Sequence, residues 1–344
     1  MFTLNEVREV IKDKPEFRLV ERDFGFVVDY AVEFEETFKG KTDRESEILI
    51  NLRGTCFYPD GKISRLMWHK FKNMGQSEEY SPDKFDLFES HRIEEKIDGS
   101  CIAPIIFPFG NWELGTRAGV TDVSKKATNF LKSLESTNPK KYGQYISLIN
   151  GCLSMDITPI FEYVGRDQRI VIDYPETKLI FTGARCMVSG LYLQQSAEEI
   201  LSDFPLIDFV KVVSTEETDI LSLAKLIKSW DGDKEGIVVK FDSGKFVKIK
   251  GDQFCLFHKA LDSISQEKNL LRIVLENAID DVYPLLQPDV KSRILKYADS
   301  VNHNIRIHDQ MVALNYKQAI EHSHGERKVF AELVNTIPRY KNAL

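Results

Sequence analysis

The hydrophobic pattern of the chain changes once, at Phe254. Before that residue, short apolar runs alternate with turn-forming segments, and strand-like runs dominate from about Glu94 to Gln253. After it, apolar residues recur at helical spacing and glycine is nearly absent. A pattern that changes once is compatible neither with one continuous sheet fold nor with one helical bundle. We therefore expect an α+β domain of antiparallel sheets with flanking helices, followed by an all-helical C-terminal domain.

The pattern places the domain boundary between residues 256 and 257. The first domain, residues 1–256, begins with a subregion of residues 1–90, in which the run Pro59-Asp60-Gly61-Lys62 predicts a turn between two strands. Further elements are predicted as strands at residues 169–174, 178–187 and 237–249, and as short helices near residues 124–136 and 218–230.

The second domain, residues 257–344, is predicted to contain two main helices. The apolar residues of the first are Leu271, Val274, Leu275 and Ala278, and its end is set by Pro284 and Pro288. Asp289 is the predicted N-cap of a longer second helix. That helix carries one apolar stripe, formed by Val290, Ile294, Tyr297, Val301, Ile305, Val312, Tyr316 and Ala319.

The net charge of −7 argues against a protein that coats nucleic acid through bulk electrostatics. The charge is uneven, because residues 291–344 carry nine Lys/Arg and five Asp/Glu, a local +4 that leaves −11 for the rest. Such a basic tail can contact phosphates locally. No apolar run approaches the length of a membrane span and the N-terminus lacks a signal-peptide pattern, so we expect a soluble, cytoplasmic protein.

The cysteines are scattered and include no C-x-x-C pair. An odd, dispersed set is typical neither of a disulfide framework nor of a zinc site. We expect buried, unpaired thiols at Cys56, Cys101, Cys152, Cys186 and Cys255.

The run Lys96-Ile97-Asp98-Gly99 has the form K-x-D-G. A neutral lysine amine can attack the α-phosphate of a nucleotide, and nearby positive charge or desolvation lowers the pKa of a lysine toward that state. Gly99 would allow the backbone to approach a ligand closely. The alternative is an ordinary exposed turn.

A second motif combines Glu235-Gly236 with a K-x-K pair at Lys248 and Lys250, across a hairpin turn at residues 242–244. On a strand the two lysines share one face, and two ammonium groups there would suit a triphosphate and lower the pKa of a third lysine, Lys96. The alternative is an amphipathic hairpin with a solvated lysine face.

A carboxylate and several cations complete the pattern. Glu162 lies inside an apolar run, where a buried carboxylate needs a ribose hydroxyl or a metal as partner, although an outward-facing strand residue is the alternative. Upstream, Arg53-Gly54 and the run Lys70-Phe71-Lys72-Asn73 place cations between apolar residues, which surface charge explains when each is taken separately.

The order of these elements resembles that of the covalent nucleotidyltransferases. Within that superfamily it is most similar to the single-strand, tRNA-repair RNA ligases of T-even phages, and the similarity covers nearly the whole chain. The resemblance implies a nucleotidyltransferase (adenylation) domain and an ATP-dependent ligase. Such an enzyme joins 5′-phosphate and 3′-hydroxyl RNA ends through lysyl-AMP and RNA-adenylate.

The resemblance also implies a role for each motif residue. Lys96 would be the nucleophile, Glu162 would hold the ribose, and Glu235 would serve catalysis and bind metal. Lys248 and Lys250 would contact the α-phosphate. The outer phosphates would be held by Arg53 and Lys70, with Tyr30 beside them. Arg117 matches a position that is lysine in the phage enzyme and would also belong to the nucleotide-binding residues. A second metal contact is implied for the pair Asp280-Asp281, whose sequence also fits a solvated helix end.

The implied cofactors are ATP, as substrate, and Mg²⁺ or Mn²⁺. The implied partner is RNA, single-stranded or a broken tRNA anticodon loop, with the protein a monomer in the cytoplasm, or in the host cytoplasm if the source is a phage. Two departures from the family are Lys72, which replaces the second of two adjacent aromatic residues, and Phe254, which replaces a tyrosine and loses its hydroxyl.

Two other functions fit part of this pattern. A DNA ligase or an mRNA-capping guanylyltransferase would use the same lysyl-nucleotide chemistry, but these enzymes normally carry an OB-type barrel after K-x-K, where this sequence predicts helices. A catalytically silent nucleic-acid-binding module is disfavoured, because loss of function would be expected to remove some of the motif residues.

Overall fold

The computed structural model describes residues 1–193, 200, 202–286 and 288–336. The chain forms two compact units, residues 1–255 and residues 256–344. The first unit contains three antiparallel sheets with flanking helices, and the described part of the second is helical. The predicted α+β class with a helical C-terminal region is confirmed.

The first sheet has the order β1-β2-β3-β4. The turn at residues 58–62 joins β3 to β4 as predicted, with Gly61 at a φ of +86° that favours glycine. Helices α1 and α2 cover the sheet, and α1 begins with a capping box between Thr3 and Glu6. The bounds are α1 Leu4–Ile11, β1 Phe17–Arg22, β2 Gly25–Tyr30, α2 Asp43–Asn51, β3 Thr55–Phe57 and β4 Ile63–Arg65.

The second sheet has the order β7-β6-β8-β9 and packs against two helices. The helix predicted near residues 124–136 is present as α3, and the strand predicted at residues 178–187 is β9. The pattern did not predict α4, which contributes the buried Tyr145 and Ile149 to this core. The bounds are β6 Ser100–Ile106, β7 Trp112–Gly115, α3 Asp122–Thr137, α4 Pro139–Ser154, β8 Ile157–Val164 and β9 Lys178–Cys186.

The third sheet has the order β11-β10-β5 and packs against α5. The predictions at residues 218–230 and 237–249 are confirmed, since α5 and the β10–β11 hairpin occupy them. Residues 208–213 join this sheet to the second one, because Phe181 donates to the carbonyl of Asp208 and Glu95 donates to that of Lys211. The bounds are β5 His91–Lys96, α5 Ile220–Lys228, β10 Gly236–Phe241 and β11 Phe246–Lys250.

The strand predicted at residues 169–174 is wrong, because this segment is irregular. The backbone N–H groups of Val171 and Ile172 both donate to the carboxylate of Asp98, at 2.8 Å each. A side chain distant in sequence therefore satisfies the donors that a neighbouring strand would otherwise pair.

The second unit continues from α6 and has a small core at Ala260, Leu286 and Ile294. The helix predicted to contain Ala278 ends earlier, at Leu275, where Asn277 adopts a left-handed φ of +56°. The bounds are α6 Asp252–Ser265, α7 Glu267–Leu275, α8 Ile279–Val282, α9 Pro288–Ser323 and α10 Arg327–Thr336. The predicted long helix is α9. It begins at Pro288, so Asp289 is its second residue and not its N-cap as predicted, and the side chain of Asp289 lies outside the described residues.

The apolar stripe of α9 is only partly buried. The predicted residues lie on one helix, but Ile294 and Ala319 are buried whereas Ile305 and Tyr316 are 40% and 58% exposed. The expectation of buried cysteines fails at Cys255, which is exposed. Among the described residues, no helix combines the length and apolar character that a membrane span requires.

Candidate active site

Lys96 is the last residue of β5 and lies opposite Gly236 of β10. Its Nζ atom is 2.8 Å from Oε2 of Glu235, whose side chain is only 3% exposed. Gly236 has a φ of +147°, and a Cβ there would lie 2.1 Å from the carbonyl oxygen of Ile249. The glycine of the Glu-Gly pair therefore allows the close strand contact that brings Glu235 to Lys96.

Glu235 also binds a second lysine. Its Oε1 atom is 2.8 Å from Nζ of Lys250, so one buried carboxylate joins the K-x-D-G lysine to the K-x-K pair. Lys248 and Lys250 are half-buried on the site face of β11, while Val247 and Ile249 are buried in the core on the other face. This is the alternation predicted from the sequence.

The two central lysines have opposite pKa shifts. Burial alone would lower the pKa of Lys96, but the negative charges of Glu235 and Glu162 outweigh it and raise that pKa. Burial, followed by the positive charges of Lys70 and Lys96, lowers the pKa of Lys248 to about 7. The expectation that Lys96 carries the lowered pKa is wrong for this state, because Lys96 has a carboxylate partner, whereas Lys248 has none among the residues that the structure describes.

The K-x-D-G turn is fixed in place and is not an ordinary exposed turn. Asp98 is 5% exposed and holds residues 171 and 172 through its carboxylate, while its own N–H donates to the hydroxyl of Tyr174 at 3.1 Å. A Cβ on Gly99 would lie 2.8 Å from the carbonyl of Tyr163. The fixed turn holds Lys96 at the end of its strand.

Glu162 lies on β8, opposite Cys101 of β6. Within the described residues, its Oε2 atom is buried without a hydrogen-bond partner. Burial raises the pKa of Glu162 to about 7, although the charges of Lys96 and Arg53 oppose the shift. A buried oxygen of this kind is suited to accept a hydrogen bond from a ligand.

The predicted phosphate-binding residues lie around Tyr30. Lys70 donates to the Tyr30 hydroxyl at 3.4 Å and is ion-paired with Glu33. The guanidinium of Arg117 lies 4.8 Å from the centre of the Tyr30 ring. Arg53 is within electrostatic range of Tyr30 and Glu162.

Two aromatic rings lie beside the K-x-K pair. The ring of Phe71 lies 5.3 Å from the Lys248 ammonium, and that of Phe254 lies 5.4 Å from the Lys250 ammonium. At these distances the π face of each ring attracts the neighbouring cation.

A cavity of about 200 Å³ opens beside these groups. Six of the predicted site residues line it, namely Tyr30, Arg53, Lys70, Lys96, Glu162 and Lys248. Glu235 and Lys250 lie behind Lys96, and Arg117 does not line it. The pattern missed other residues of its wall, including Trp68, His69, Glu94, Thr182, Val238 and Lys240.

Two of the missed residues form a buried ion pair. Lys240 binds Glu94 at 2.5 Å, donates to the carbonyl of Thr182 at 2.9 Å, and lies 4.2 Å from the centre of the Trp68 ring. A single charge within the apolar strand Gly236–Phe241 was the available sequence signal. This wall separates the smaller cavity from a larger one of about 620 Å³.

Two carboxylates, Glu235 and Asp280, are the predicted metal ligands. Glu235 supplies a hard carboxylate, which suits Mg²⁺, and Mg²⁺ commonly binds one or two protein carboxylates while phosphate and water complete its shell. Asp280 is an exposed residue of α8, and the side chain of Asp281 lies outside the described residues. Across those residues, no group of three His, Cys, Asp or Glu side chains is arranged for a metal ion.

Comparison with known proteins gives a sequence relative with extensive coverage. A protein of Thermovibrio ammonificans named "Putative RNA ligase" is 28% identical over 319 residues, which span 88% of this chain and 78% of that protein. No family model matches the chain.

Solved structures with partial similarity include two ATP-dependent ligases. One is described as "Putative ATP-dependent DNA ligase from Aquifex aeolicus", with 14% identity, a TM-score of 0.49, and coverage of 98% of this chain and 88% of that one. The other is an archaeal ATP-dependent RNA ligase, with 15% identity, a TM-score of 0.48, and coverage of 97% and 86%. The finer resemblance to T-even phage ligases stays a prediction.

Proposed function

We propose that this chain is an ATP-dependent RNA ligase that joins 5′-phosphate and 3′-hydroxyl ends through AMP bound covalently to Lys96. The observation that carries the proposal is the buried Lys96–Glu235–Lys250 cluster beside a cavity that also contains the unpartnered oxygen of Glu162. The similarity to an RNA ligase relative along 319 residues supports the choice of RNA ligation.

The first step needs a neutral amine at Lys96. In the ion pair with Glu235 the raised pKa keeps that amine protonated, so the ammonium must release its proton to solvent water before attack. Lys250 shares the carboxylate of Glu235, so it can keep the negative charge of Glu235 neutralised when Lys96 turns toward ATP. Nζ of Lys96 then bonds to the α-phosphorus, the bond to the outer phosphates breaks, and pyrophosphate leaves.

The surrounding residues have separate tasks in that step. The ammonium groups of Lys248 and Lys250 stabilise the negative charge that develops on the α-phosphate. Arg53, Lys70 and Arg117 hold the outer phosphates and favour their departure. The free oxygen of Glu162 accepts a hydrogen bond from the ribose.

The divalent metal fits this arrangement at Glu235. When bound, the ion supplies charge neutralisation on the phosphates. Glu235 is the residue that would hold the ion, and its ion pair with Lys96 keeps that lysine protonated. The carboxylate thus holds Lys96 in place before ATP and metal bind.

Two transfers complete the reaction. An oxygen of the RNA 5′-phosphate attacks the phosphorus of lysyl-AMP, the Lys96 nitrogen–phosphorus bond breaks, and a 5′–5′ pyrophosphate-linked RNA-adenylate forms. The 3′-hydroxyl of the other end then attacks the activated phosphate, loses its proton and displaces AMP. A broken tRNA anticodon loop is the proposed natural substrate.

The helical region after β11 favours this function over capping or DNA ligation, since the described residues 256–286 and 288–336 form helices where those enzymes normally carry a barrel. A silent binding module would not need a buried carboxylate that joins two lysines.

The test has two parts. Incubation with labelled ATP or GTP and Mg²⁺, followed by denaturing electrophoresis, should label the chain from ATP alone, and labelling from GTP alone would indicate a capping enzyme. A panel of 5′-phosphorylated single-stranded, nicked and stem-loop RNAs and DNAs should then be sealed only when the ends are RNA. Sealing of nicked DNA in preference would contradict RNA ligation.

A further inference from the structure

Arg65, the last residue of β4, is fully buried at 0% exposure. Its guanidinium donates twice to the carbonyl oxygen of Gly54, through Nε at 3.1 Å and Nη2 at 2.7 Å. Its Nη1 atom has no hydrogen-bond partner among the described residues. The guanidinium also has no carboxylate at ion-pair distance within that part of the chain.

A buried guanidinium in this position opposes folding, so its presence needs a functional explanation. Removing the charge from water is costly, and a carbonyl compensates less than a carboxylate would. A side chain such as Met would fill similar space without that cost. Packing alone therefore does not account for an arginine at position 65.

The carbonyl that Arg65 holds belongs to the Arg53-Gly54 turn. Gly54 has a φ of +74°, and a Cβ on it would lie 2.4 Å from Cα of Arg117. The backbones of the two arginines proposed to bind phosphate thus meet at this glycine. Two hydrogen bonds from one rigid guanidinium fix the direction of its carbonyl, and with it the turn that carries Arg53.

Arg65 also lies against the segment that leads to Arg117. Its Nη1 atom would be 3.0 Å from a Cβ on Gly115, the end of β7, two residues before Arg117. Its charge further acts on Asp29, whose Oδ2 is 3.4 Å from Nε of Arg117. One buried side chain therefore lies behind both arginines.

We propose that Arg65 is a positioning residue that sets Arg53 and Arg117 for the outer phosphates of ATP. The proposal rests on the proposed function, because it assigns a support to residues that hold the nucleotide. Its effect is on the Michaelis constant for ATP more than on the rate at saturation, since Arg65 lies behind the phosphate-binding residues and does not touch Lys96.

The test is a double-mutant cycle on the full chain, with formation of the Lys96–AMP adduct as readout. Arg65→Lys keeps the charge and loses the two-point contact, and should raise the KM for ATP about tenfold while the saturating rate changes less than about threefold. Arg53→Ala should raise the KM at least as much. In the Arg53→Ala background, Arg65→Lys should raise the KM for ATP by a further factor of about two at most.

Arg185 provides the matched control. It is also a buried arginine that donates to backbone carbonyls, those of Met67 and Gly190, and it takes no part in the proposed phosphate site. Any change that Arg185→Lys makes in the KM for ATP should multiply with the change made by Arg53→Ala, because the two sites are independent.

The opposite result overturns the proposal: independent multiplication of Arg65→Lys with Arg53→Ala would make Arg65 a general structural residue. If Arg65→Lys does not fold, as judged by thermal melting and gel filtration, Arg65→Gln retains an N–H donor for Gly54 and enters the same cycle. If neither folds, Arg65 is a folding element and the proposal is wrong. Absence of any adduct in the unaltered chain would instead overturn the proposed function.

Discussion

The two compact units of the molecule differ in how many charged side chains they bury. In residues 1–255 several charged side chains are buried, among them Arg65, Glu94, Asp98 and Glu235. Among the described residues of the second unit, the only buried polar side chain is Ser323. Burying charge opposes folding, so its concentration in the first unit marks where the protein retains charged groups for chemistry.

The second unit differs in its apolar residues as well. Its core is small, and α9 exposes Ile307, Met311 and Leu314 at 42%, 43% and 56%. Exposed charges and exposed apolar groups can meet a partner without a large rearrangement. The contrast supports a division in which the first unit carries out nucleotidyl transfer and the second contributes to selection of the RNA.

The largest expected effect is at Lys96. Lys96→Ala should abolish the covalent AMP adduct formed with ATP and Mg²⁺, because the amine that bonds to phosphorus is gone. Lys96→Arg should fail equally, since a guanidinium is not deprotonated in a protein. Denaturing electrophoresis with labelled ATP measures both variants, and Lys328 in α10, changed to Ala, is the control from the second unit. An adduct of undiminished yield in either Lys96 variant would exclude Lys96 as the nucleophile.

The next effect is at the K-x-K pair. Lys248→Ala or Lys250→Ala should slow adenylation by about a hundredfold, the scale of losing one preorganised electrostatic contact. Lys245 is the matched control, because it is an exposed lysine of the same hairpin whose Nζ contacts the carbonyl of Lys84 and the ring of Phe85. Equal tolerance at the three positions would reduce the hairpin to an amphipathic surface element.

A smaller effect is expected from removing most of the second unit. A chain that ends at Leu286 keeps α6 to α8 with Asp280, and should retain Lys96 adenylation. It loses the basic residues from Lys291 onward, so sealing of a stem-loop should fall more than sealing of an unstructured oligonucleotide.

Binding measured across salt concentrations gives the complementary readout for this truncation. Each lost phosphate contact should flatten the salt dependence by a little under one log unit per log unit of salt. If both RNAs are affected equally and the salt slope is unchanged, the second unit is a packing element.

The smallest effect is on stability, at Lys248. Its pKa is lowered from 10.5 to about 7 in the folded chain. Below about pH 7 the lysine is charged in both the folded and the unfolded chain, so the free-energy cost of burying its charge is fully present. From pH 7 upward the folded chain releases the proton, and that cost becomes smaller. Lys248→Met should therefore raise the free energy of unfolding by on the order of 2 kcal/mol at pH 6, and by less at pH 9.

Urea unfolding without nucleotide checks this sign at both pH values, with Lys245→Met as control. An equal gain at pH 6 and pH 9 would mean that the buried charge is not the cause. A gain together with lost adenylation would show that the first unit retains a destabilising charge for function.

Much of the architecture was predictable because it depends on local pattern. The β10–β11 hairpin follows from alternation and from a turn with Gly244, and α3 and α5 follow from helical periodicity. Residues 169–174 show the limit of prediction from local pattern, since their apolar run predicts a strand. Two of their backbone N–H groups instead donate to the carboxylate of Asp98, more than seventy positions away.

The candidate site divides in the same way. Motif residues such as Lys96, Glu162 and Lys248 are recognisable from type and spacing, and they line one cavity. Lys240 with Glu94, and Arg65 behind Gly54, carry no spacing signal. The partners of each pair come from separate segments of the chain, and they meet only when the sheets fold.

By itself the sequence determined the change from strands to helices after Phe254, the K-x-K face, and the set of residue types that nucleotidyl transfer requires. Only the tertiary structure decided which lysine is ion-paired and which has its pKa lowered. Local spacing specifies on which face of a strand a side chain lies, but a pKa depends on burial and on charges contributed by other strands. Glu235 therefore holds a proton on Lys96, while Lys248, which lies among cations and has no carboxylate partner in the described part of the chain, has its pKa lowered to about 7.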